Sequence, residues 1–327
     1  MKVINNLLKQ PGAWLNLGSQ TGILVSSRVR LARNIHGRPF PDRASEEESI
    51  QLLHDLKPVL EHLSVWEKPV ILEVKSLKRI ERQVLVERHL MSRELAVKGA
   101  GSAILFKKDE SIAIMINEED HLRIQAMSSG LNLIGLWKTL DRIDSEIERT
   151  IDYAFSTQLG YLTACPTNIG TGMRASVMLH LPGLALMEEI EPIVNGLNRI
   201  GLAVRGLWGE GTEASGHMFQ LSNQSTLGES EETIINRLEQ IVLEIGEHEK
   251  NARARLMQQK ESLVRDHIGR AFGILSQARL LNSSETLDML SDLRLGIDMG
   301  FVLPLNKQSI DKLFLLIQPG HLQKMEG

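Results

Sequence analysis

The sequence predicts an α+β protein, and three observations carry the prediction. Segments 23–33 and 174–181 alternate apolar and polar residues, the period of a half-buried strand. Segments 103–107 and 111–126 form a hairpin pattern around Lys108-Asp109-Glu110. Residues 266–327 carry helical patterns only.

In chain order, residues 1–21 predict a short helix and a loop. The first strand follows at 23–33. Ser45 with Glu46, Glu47 and Glu48 marks a helix start, because carboxylates in a first turn meet the positive end of the helix dipole. That helix presents Ile50, Leu52, Leu53 and Leu56, and another is predicted near 77–90. In 111–126, Ile112, Ile114, Ile116, Leu122 and Ile124 share one face; Asn117, Glu119, His121, Arg123 and Gln125 share the other. Glu118 and Asp120 interrupt the apolar face and predict a bulge. Helices are predicted at 131–153 and 184–200, the latter closed by Gly201. Strands at 202–207 and 217–222 flank the glycine-rich loop 206–216. One long helix runs from Glu231 to about Leu263, and 268–280, 284–295 and 309–316 are helical. The composition shift after the long helix sets a boundary near 255.

Composition narrows the function. Apolar residues are 42% and charged residues 24% of 327, enough for a core without crosslinks. The net charge of −4 excludes a global field favouring nucleic acid or anionic membrane, so arginine clusters act locally. A single cysteine allows no internal disulfide and fits a reducing compartment. The N-terminal residues lack a signal-peptide apolar core, and no run approaches the roughly 20 apolar residues of a membrane span. A cytoplasmic protein is expected.

Arg28, Arg30 and Arg33 fall within six residues of one predicted strand among apolar neighbours. Guanidinium groups fork onto phosphate oxygens, so an anion site is favoured over a merely solvated face. Arg174 and Arg205, beside glycines at strand ends, admit the same reading. Glu119 and Arg123, four apart on one predicted strand face, could be a base and a phosphate ligand; on spacing alone a surface ion pair is the better account. Gly170-Thr171-Gly172 lacks the lysine and hydroxyl of a phosphate loop and reads as a turn. Cys165 has no CxxC partner and is by default a small buried hydrophobe, although nearby Arg174 could favour its thiolate. His89 reads as a helix-surface histidine. Trp14, Trp66 and Trp137 read as packing. Trp208, in the glycine loop, is placed to touch a ligand.

Taken together, Ser26-Ser27-Arg28-Val29-Arg30, Asn117-Glu118-Glu119-Asp120-His121-Leu122-Arg123, Cys165-Pro166-Thr167-Asn168, Arg174-Ala175-Ser176-Val177 and Arg205-Gly206 resemble, in order, the catalytic domain of the phosphagen (guanidino) kinases. The resemblance covers roughly residues 22–250. It implies a mostly antiparallel sheet flanked by helices over 22–254, followed by a helical domain at 255–327 that mediates dimerisation. It implies ATP as substrate and Mg²⁺ bridging its phosphates, with no protein residue assigned to the metal. Arg28, Arg30, His89, Arg123, Arg174 and Arg205 would line the phosphates and base. Ser26, Ser27, Val29, and the segments Arg174, Ala175, Ser176, Val177, Met178 and Arg205, Gly206, Leu207, Trp208, Gly209, Glu210 would form the rest of the nucleotide site. Glu119 falls on the catalytic carboxylate. Glu210 or Glu213 would be the second acid, and Cys165 a thiolate beside the acceptor guanidinium.

Only about twenty residues precede the arginine strand, where metabolite kinases of the family carry a helical domain. The layout looks like that of the bacterial kinases that phosphorylate arginine side chains in proteins. That resemblance implies protein substrates with exposed arginines, a heat-shock repressor among them, a zinc-binding activator protein and a Clp ATPase/protease that degrades marked proteins. The subfamily's phosphoarginine-reading motif, Arg-Asp-x-x-Arg-Ala, is approached by Arg265-Asp266-His267-Ile268-Gly269-Arg270-Ala271, which has one residue too many. Two alternatives stand: a kinase of free arginine or another guanidino metabolite, and a non-catalytic adaptor. The intact arginine set with Glu119 and Cys165 argues against the adaptor.

Overall fold

A computed structural model describes residues 2–15, 22–206, 215–302 and 304–326. Helix α1 (Lys2–Leu7) and a 3-10 turn at Ala13–Leu15 precede β1 (Leu24–Arg33). Next come α2 (Glu46–Glu61), β2 (Val70–Glu73), α3 (Arg79–Glu87), α4 (Arg93–Ala96) and three strands, β3 (Ala103–Phe106), β4 (Ile112–Ile116) and β5 (Leu122–Ser129). Helix α5 (Leu133–Glu148) leads to the small pair β6 (Phe155–Ser156) and β7 (Gly160–Tyr161), then to β8 (Met173–His180). Helices α6 (Pro182–Leu186) and α7 (Ile190–Arg199) precede β9 (Leu202–Gly206) and β10 (Met218–Asn223). The remainder is helical: α8 (Glu231–Gln259), α9 (Glu261–Gln277), α10 (Ser283–Asp298), α11 (Lys307–Leu316) and α12 (Pro319–Glu326).

Eight strands form one sheet in the order β2-β3-β4-β5-β1-β8-β10-β9, antiparallel throughout, with helices on both faces. Helices α2, α5, α7 and α8 cover one face, and the apolar row Val29, Leu31, Ile114, Ile124, Ala175 and Val177 packs beneath them. Among the described residues the helices on the other face cover its two ends. Helices α1, α3 and α4 pack on Ile104, Phe106, Met115 and Met127. The C-terminal helices pack on Val25, Met178 and Met218. The middle of that face carries polar side chains and stays open.

The start of α2 follows its chemistry: the Ser45 side chain accepts from Glu48 N–H at 3.2 Å, and Glu48 accepts from Ser45 N–H at 2.8 Å. Several expectations need correction. Segment 111–126 is two strands, because Asn117 takes a left-handed φ of 54° and the chain reverses at 117–121. The apolar face survives the reversal, since Ile116 pairs with Leu122 and Ile114 with Ile124, and directly opposed residues share a face. Segment 184–200 is two helices, broken where Glu188 has φ 61°. The long helix ends at Gln259, and strand β2 and helix α12 had no counterpart in the sequence reading.

Candidate active site

The open middle of the sheet is a polar cleft of about 280 Å³. Strand register builds it. Arg30 on β1 lies directly between Gln125 on β5 and Arg174 on β8. Arg28 lies between Met127 and Ser176, and Arg205 on β9 opposes Gln220 on β10. With Arg123 of β5 and Arg93 of α4, six guanidinium groups line one cavity, along with His89, Glu94 and Gly206. Like charges directly opposed on a sheet repel, so this face is built for something other than its own stability.

Few anions of the protein answer these cations. Arg28 Nη2 donates to Gln220 Oε1 at 2.8 Å, and Arg174 Nη2 to Ser222 Oγ at 3.3 Å; both acceptors are neutral. Among the described residues only Arg123, of Arg28, Arg30, Arg123, Arg174 and Arg205, pairs with a carboxylate, that of Glu118. Arg30 makes no hydrogen bond or ion pair among the described residues, and the Nε atoms of Arg30 and Arg174 are buried without a partner. Burial, then Arg123 and Arg174, lower the Arg28 pKa to about 10. Burial and Arg28 push Arg30 well below the usual guanidinium range. Burial and then Arg205 lower Arg174, while nearby Cys165 acts in the opposite direction.

His89 does not lie on a helix surface. It follows α3 with a left-handed φ of 58°, its carbonyl accepts from Gln125 Nε2 at 2.7 Å, and the Trp14 ring stands edge-on at 4.8 Å. Burial, then Arg28 and Arg30, lower its pKa to about 3, so it is neutral at neutral pH. A smaller hollow continues from the cleft past His89 and Arg28; Trp14, Ser26, Ser27, Ser176, Met178 and Gln220 line it. Val29, Ala175 and Val177, of the expected nucleotide segments, turn their side chains into the helix-covered core and can offer the cleft only backbone. Leu207, Trp208, Gly209, Glu210 and Glu213 lie outside the described residues.

Glu119 sits at the β4–β5 reversal, not on a strand with Arg123. Every neighbour in that turn is tied down. Asn117 Nδ2 donates to Gly101 O at 2.7 Å. The Asp120 carboxylate accepts from Asn34 Nδ2 at 2.6 Å and Ala164 N–H at 2.7 Å. His121 Nδ1 accepts from Ile35 N–H at 3.0 Å. Glu118 accepts from the Glu119 N–H at 2.9 Å besides pairing with Arg123. The Glu119 carboxylate itself makes no hydrogen bond among the described residues. Burial, then the charges of Asp120 and Glu118, raise its pKa. A half-buried carboxylate of raised proton affinity, held by a rigid turn beside Arg123, is suited to accept a proton.

Cys165 enters from the other side. It precedes a 3-10 turn at Pro166–Asn168, and its Sγ lies 3.0 Å from Thr167 Oγ1. Because Ala164 is bonded to Asp120, the cysteine loop and the Glu119 turn are fastened together. Gly170 and Gly172 serve a close chain crossing: a Cβ on Gly170 would stand 2.3 Å from Thr226 O, and one on Gly172 2.6 Å from Ala32 O.

Arg33 is not part of the anion site. It is an odd number of residues from Arg28 and Arg30, so it faces the other way. There its Nε donates to Asp144 at 3.0 Å and its guanidinium lies 3.5 Å from the centre of the Tyr161 ring. Trp14, Gln220 and the pairing of Glu118 escaped the sequence reading. Gln220 shares a parity with Arg205 across β9 and β10, a signal recoverable once those strands are paired. Trp14 left no local signal.

Among the described residues no three His, Cys, Asp or Glu side chains come together as a metal cage, and no helix is long and apolar enough to cross a membrane.

Comparison with known proteins agrees with this geometry. Residues 51–252 match the ATP:guanido phosphotransferase C-terminal catalytic domain, and residues 261–327 match the protein-arginine kinase McsB C-terminal domain. A protein-arginine kinase of Pelotomaculum thermopropionicum is 45% identical over 318 residues, 96% of this chain and 89% of the relative. One of Halothermothrix orenii is 46% identical over 312 residues, 95% of this chain and 88% of the relative. Among solved structures, the duplicated taurocyamine kinase of Schistosoma mansoni with bound transition state analog components aligns with a TM-score of 0.65 at 28% identity, over 75% of this chain and 35% of that one.

Proposed function

The chain belongs to the ATP:guanido phosphotransferase family, and from that premise we propose that it transfers the γ-phosphoryl group of ATP to arginine side chains of proteins. The observation that carries the phosphoryl-transfer half is the cluster of Arg28, Arg30, Arg123, Arg174 and Arg205 in one cleft with, among the described residues, a single carboxylate partner between them. A triphosphate supplies the missing negative charge. Fixed guanidinium groups then steady the charge that spreads over the transferred group. The hollow beside His89 and Trp14 suits the base.

The acceptor is a guanidinium, protonated at neutral pH and not nucleophilic in that state. In the proposed step Glu119 takes a proton from the attacking nitrogen as the N–P bond forms, and the bond from the γ-phosphorus to its bridging oxygen breaks, releasing ADP. The raised proton affinity of Glu119 serves that transfer. Cys165 as a thiolate holds the positive acceptor beside Arg174. Glu210 or Glu213 is the proposed second acid. The described residues supply no cage for Mg²⁺. A bound Mg²⁺ would supply further positive charge to the phosphates.

The protein substrate is supported by the relatives, which are protein-arginine kinases matched over nearly their whole length. Phosphorylation turns a cationic side chain into an anionic one. On a heat-shock repressor this removes a DNA-phosphate contact, and on other proteins it leaves a charge that a Clp-type protease could recognise. A cytoplasmic setting, a zinc-binding activator and a homodimer complete the proposal.

The test is transfer of labelled phosphate from ATP to an arginine-rich protein and to free arginine, read as acid-labile label. Preferential labelling of protein arginines is expected. Efficient labelling of free arginine with none on protein would overturn the substrate assignment.

A further inference from the structure

Three consecutive residues at the end of α3 belong to three parts of the molecule. Glu87 binds helix α12: its carboxylate accepts from Gly320 N–H at 2.7 Å, from His321 N–H at 3.0 Å and from His321 Nδ1 at 2.7 Å. Arg88 binds the β3–β4 turn and the N-terminal segment, through Glu110 at 2.9 Å and Gln10 O at 2.9 Å. His89 enters the nucleotide cleft. All three groups of the linkage, His321, Glu87 and Arg88, are buried.

The His321 ring is used on both edges. Arg88 Nη1, a donor, faces Nε2 at 3.4 Å, so Nε2 is the acceptor and the proton sits on Nδ1, directed at Glu87. The docking is also close. A Cβ on residue 320 would stand 2.7 Å from Gln83 Cγ and 2.8 Å from the Glu87 carboxylate, so a larger residue there would have to displace those side chains where α12 meets α3. Two residues from this contact, His89 adopts its left-handed φ of 58°. Such a conformation costs energy in a residue with a Cβ and persists where the surroundings enforce it.

We infer that His321 is a positioning residue for the nucleotide site: by holding Glu87, helix α12 locks the Glu87–Arg88–His89 segment in the shape that presents His89 beside Arg28 and Trp14. The inference rests on the cleft's being the ATP site. Nucleotide affinity is then set in part from a helix that touches no nucleotide, and whatever displaces α12 weakens ATP binding without altering Glu119 or Cys165.

Calorimetric titration of the full chain with ATP and magnesium tests it. His321→Ala should raise the Kd for ATP at least fivefold and raise KM in step, with kcat at saturation within twofold. His321→Asn, whose amide N–H can replace Nδ1–H toward Glu87, should restore the Kd to within twofold of the wild type. Gln323→Ala, at an exposed position of the same helix, should bind as the wild type does. If His321→Ala does not fold, His321→Phe, which keeps the ring volume and drops both nitrogens, carries the same expectation. A wild-type Kd in His321→Ala or His321→Phe, or equal weakening by Gln323→Ala, overturns the inference. Failure of the wild type to bind ATP overturns the kinase reading itself.

Discussion

The arginines of the cleft and the arginines of the core make opposite bargains with their surroundings. Arg33, Arg88 and Arg294 are fully buried, and each is matched to a buried carboxylate: Asp144, Glu110 and Asp311. Arg28, Arg30 and Arg174 are crowded together with neutral acceptors or none. The first group ties separate elements together: Arg33 joins β1 to α5, Arg88 joins the end of α3 to the β3–β4 turn, and Arg294 joins α10 to α11. The second lowers the stability of the free protein and gains only when an anion arrives. Along strand β1 a carboxylate partner separates the structural Arg33 from the functional Arg28 and Arg30, whereas Arg123 in the cleft keeps Glu118.

The sharpest way to break that contrast is to strip a core arginine of its anion. Asp144→Ala should cost about 3–5 kcal/mol, because it strands a buried charge; urea unfolding reads the loss, and a change under about 1 kcal/mol would remove the distinction. Next in size, Glu119→Gln should lower kcat by roughly 10²–10⁴ while leaving the melting temperature nearly unchanged, as expected for loss of a general base. Tripolyphosphate at about a hundred times its Kd should stabilise the protein by about 2.7 kcal/mol. Scanning calorimetry would show it, and no shift would mean that the crowded cations do not await a polyanion.

Arg30→Met sharpens the contrast from the other side. It should weaken ATP binding by about 1.5–3 kcal/mol, the worth of a charge-assisted hydrogen bond, yet leave the free protein as stable as before or more so. A clear loss of stability would place Arg30 with the core group. The smallest expected effect is with pH. His89 titrates at about 3 when folded, and His180 well below its ordinary value, both chiefly through burial. The unfolded chain therefore binds more protons than the folded one as pH falls below about 6.5. Stability contributed by the neutral rings is complete above that pH and declines from there toward about 3 in the case of His89. Replacing His180 with Asn should flatten this slope in thermal melts between pH 7 and 5.

Much of the cleft was legible because strand periodicity is a local property. The parity that groups Arg28 with Arg30 excludes Arg33, which the sequence reading nevertheless kept with them because all three fall within six residues. The polar motifs were legible too, as a resemblance. The Glu119 turn was not. An even apolar spacing is the same whether 111–126 runs straight or reverses, so alternation could not reveal the left-handed Asn117 or the pairing of Arg123 with Glu118 rather than Glu119. From the residues alone His89 and Trp14 read as ordinary surface and packing residues, and the resemblance by itself put His89 at the site; only packing brings the two rings to 4.8 Å.

By itself the sequence determined the α+β class, the helix starts and the alternating faces, since caps and periodicities act within a few residues and need no distant partner. The folded chain alone decided which arginines are answered by carboxylates, how β1 comes to lie between β5 and β8, and that His321 reaches Glu87 across 234 positions. Those are encounters between segments far apart in the chain, and their energies depend on burial and register, quantities that exist only after the sheet and its two covering layers have closed.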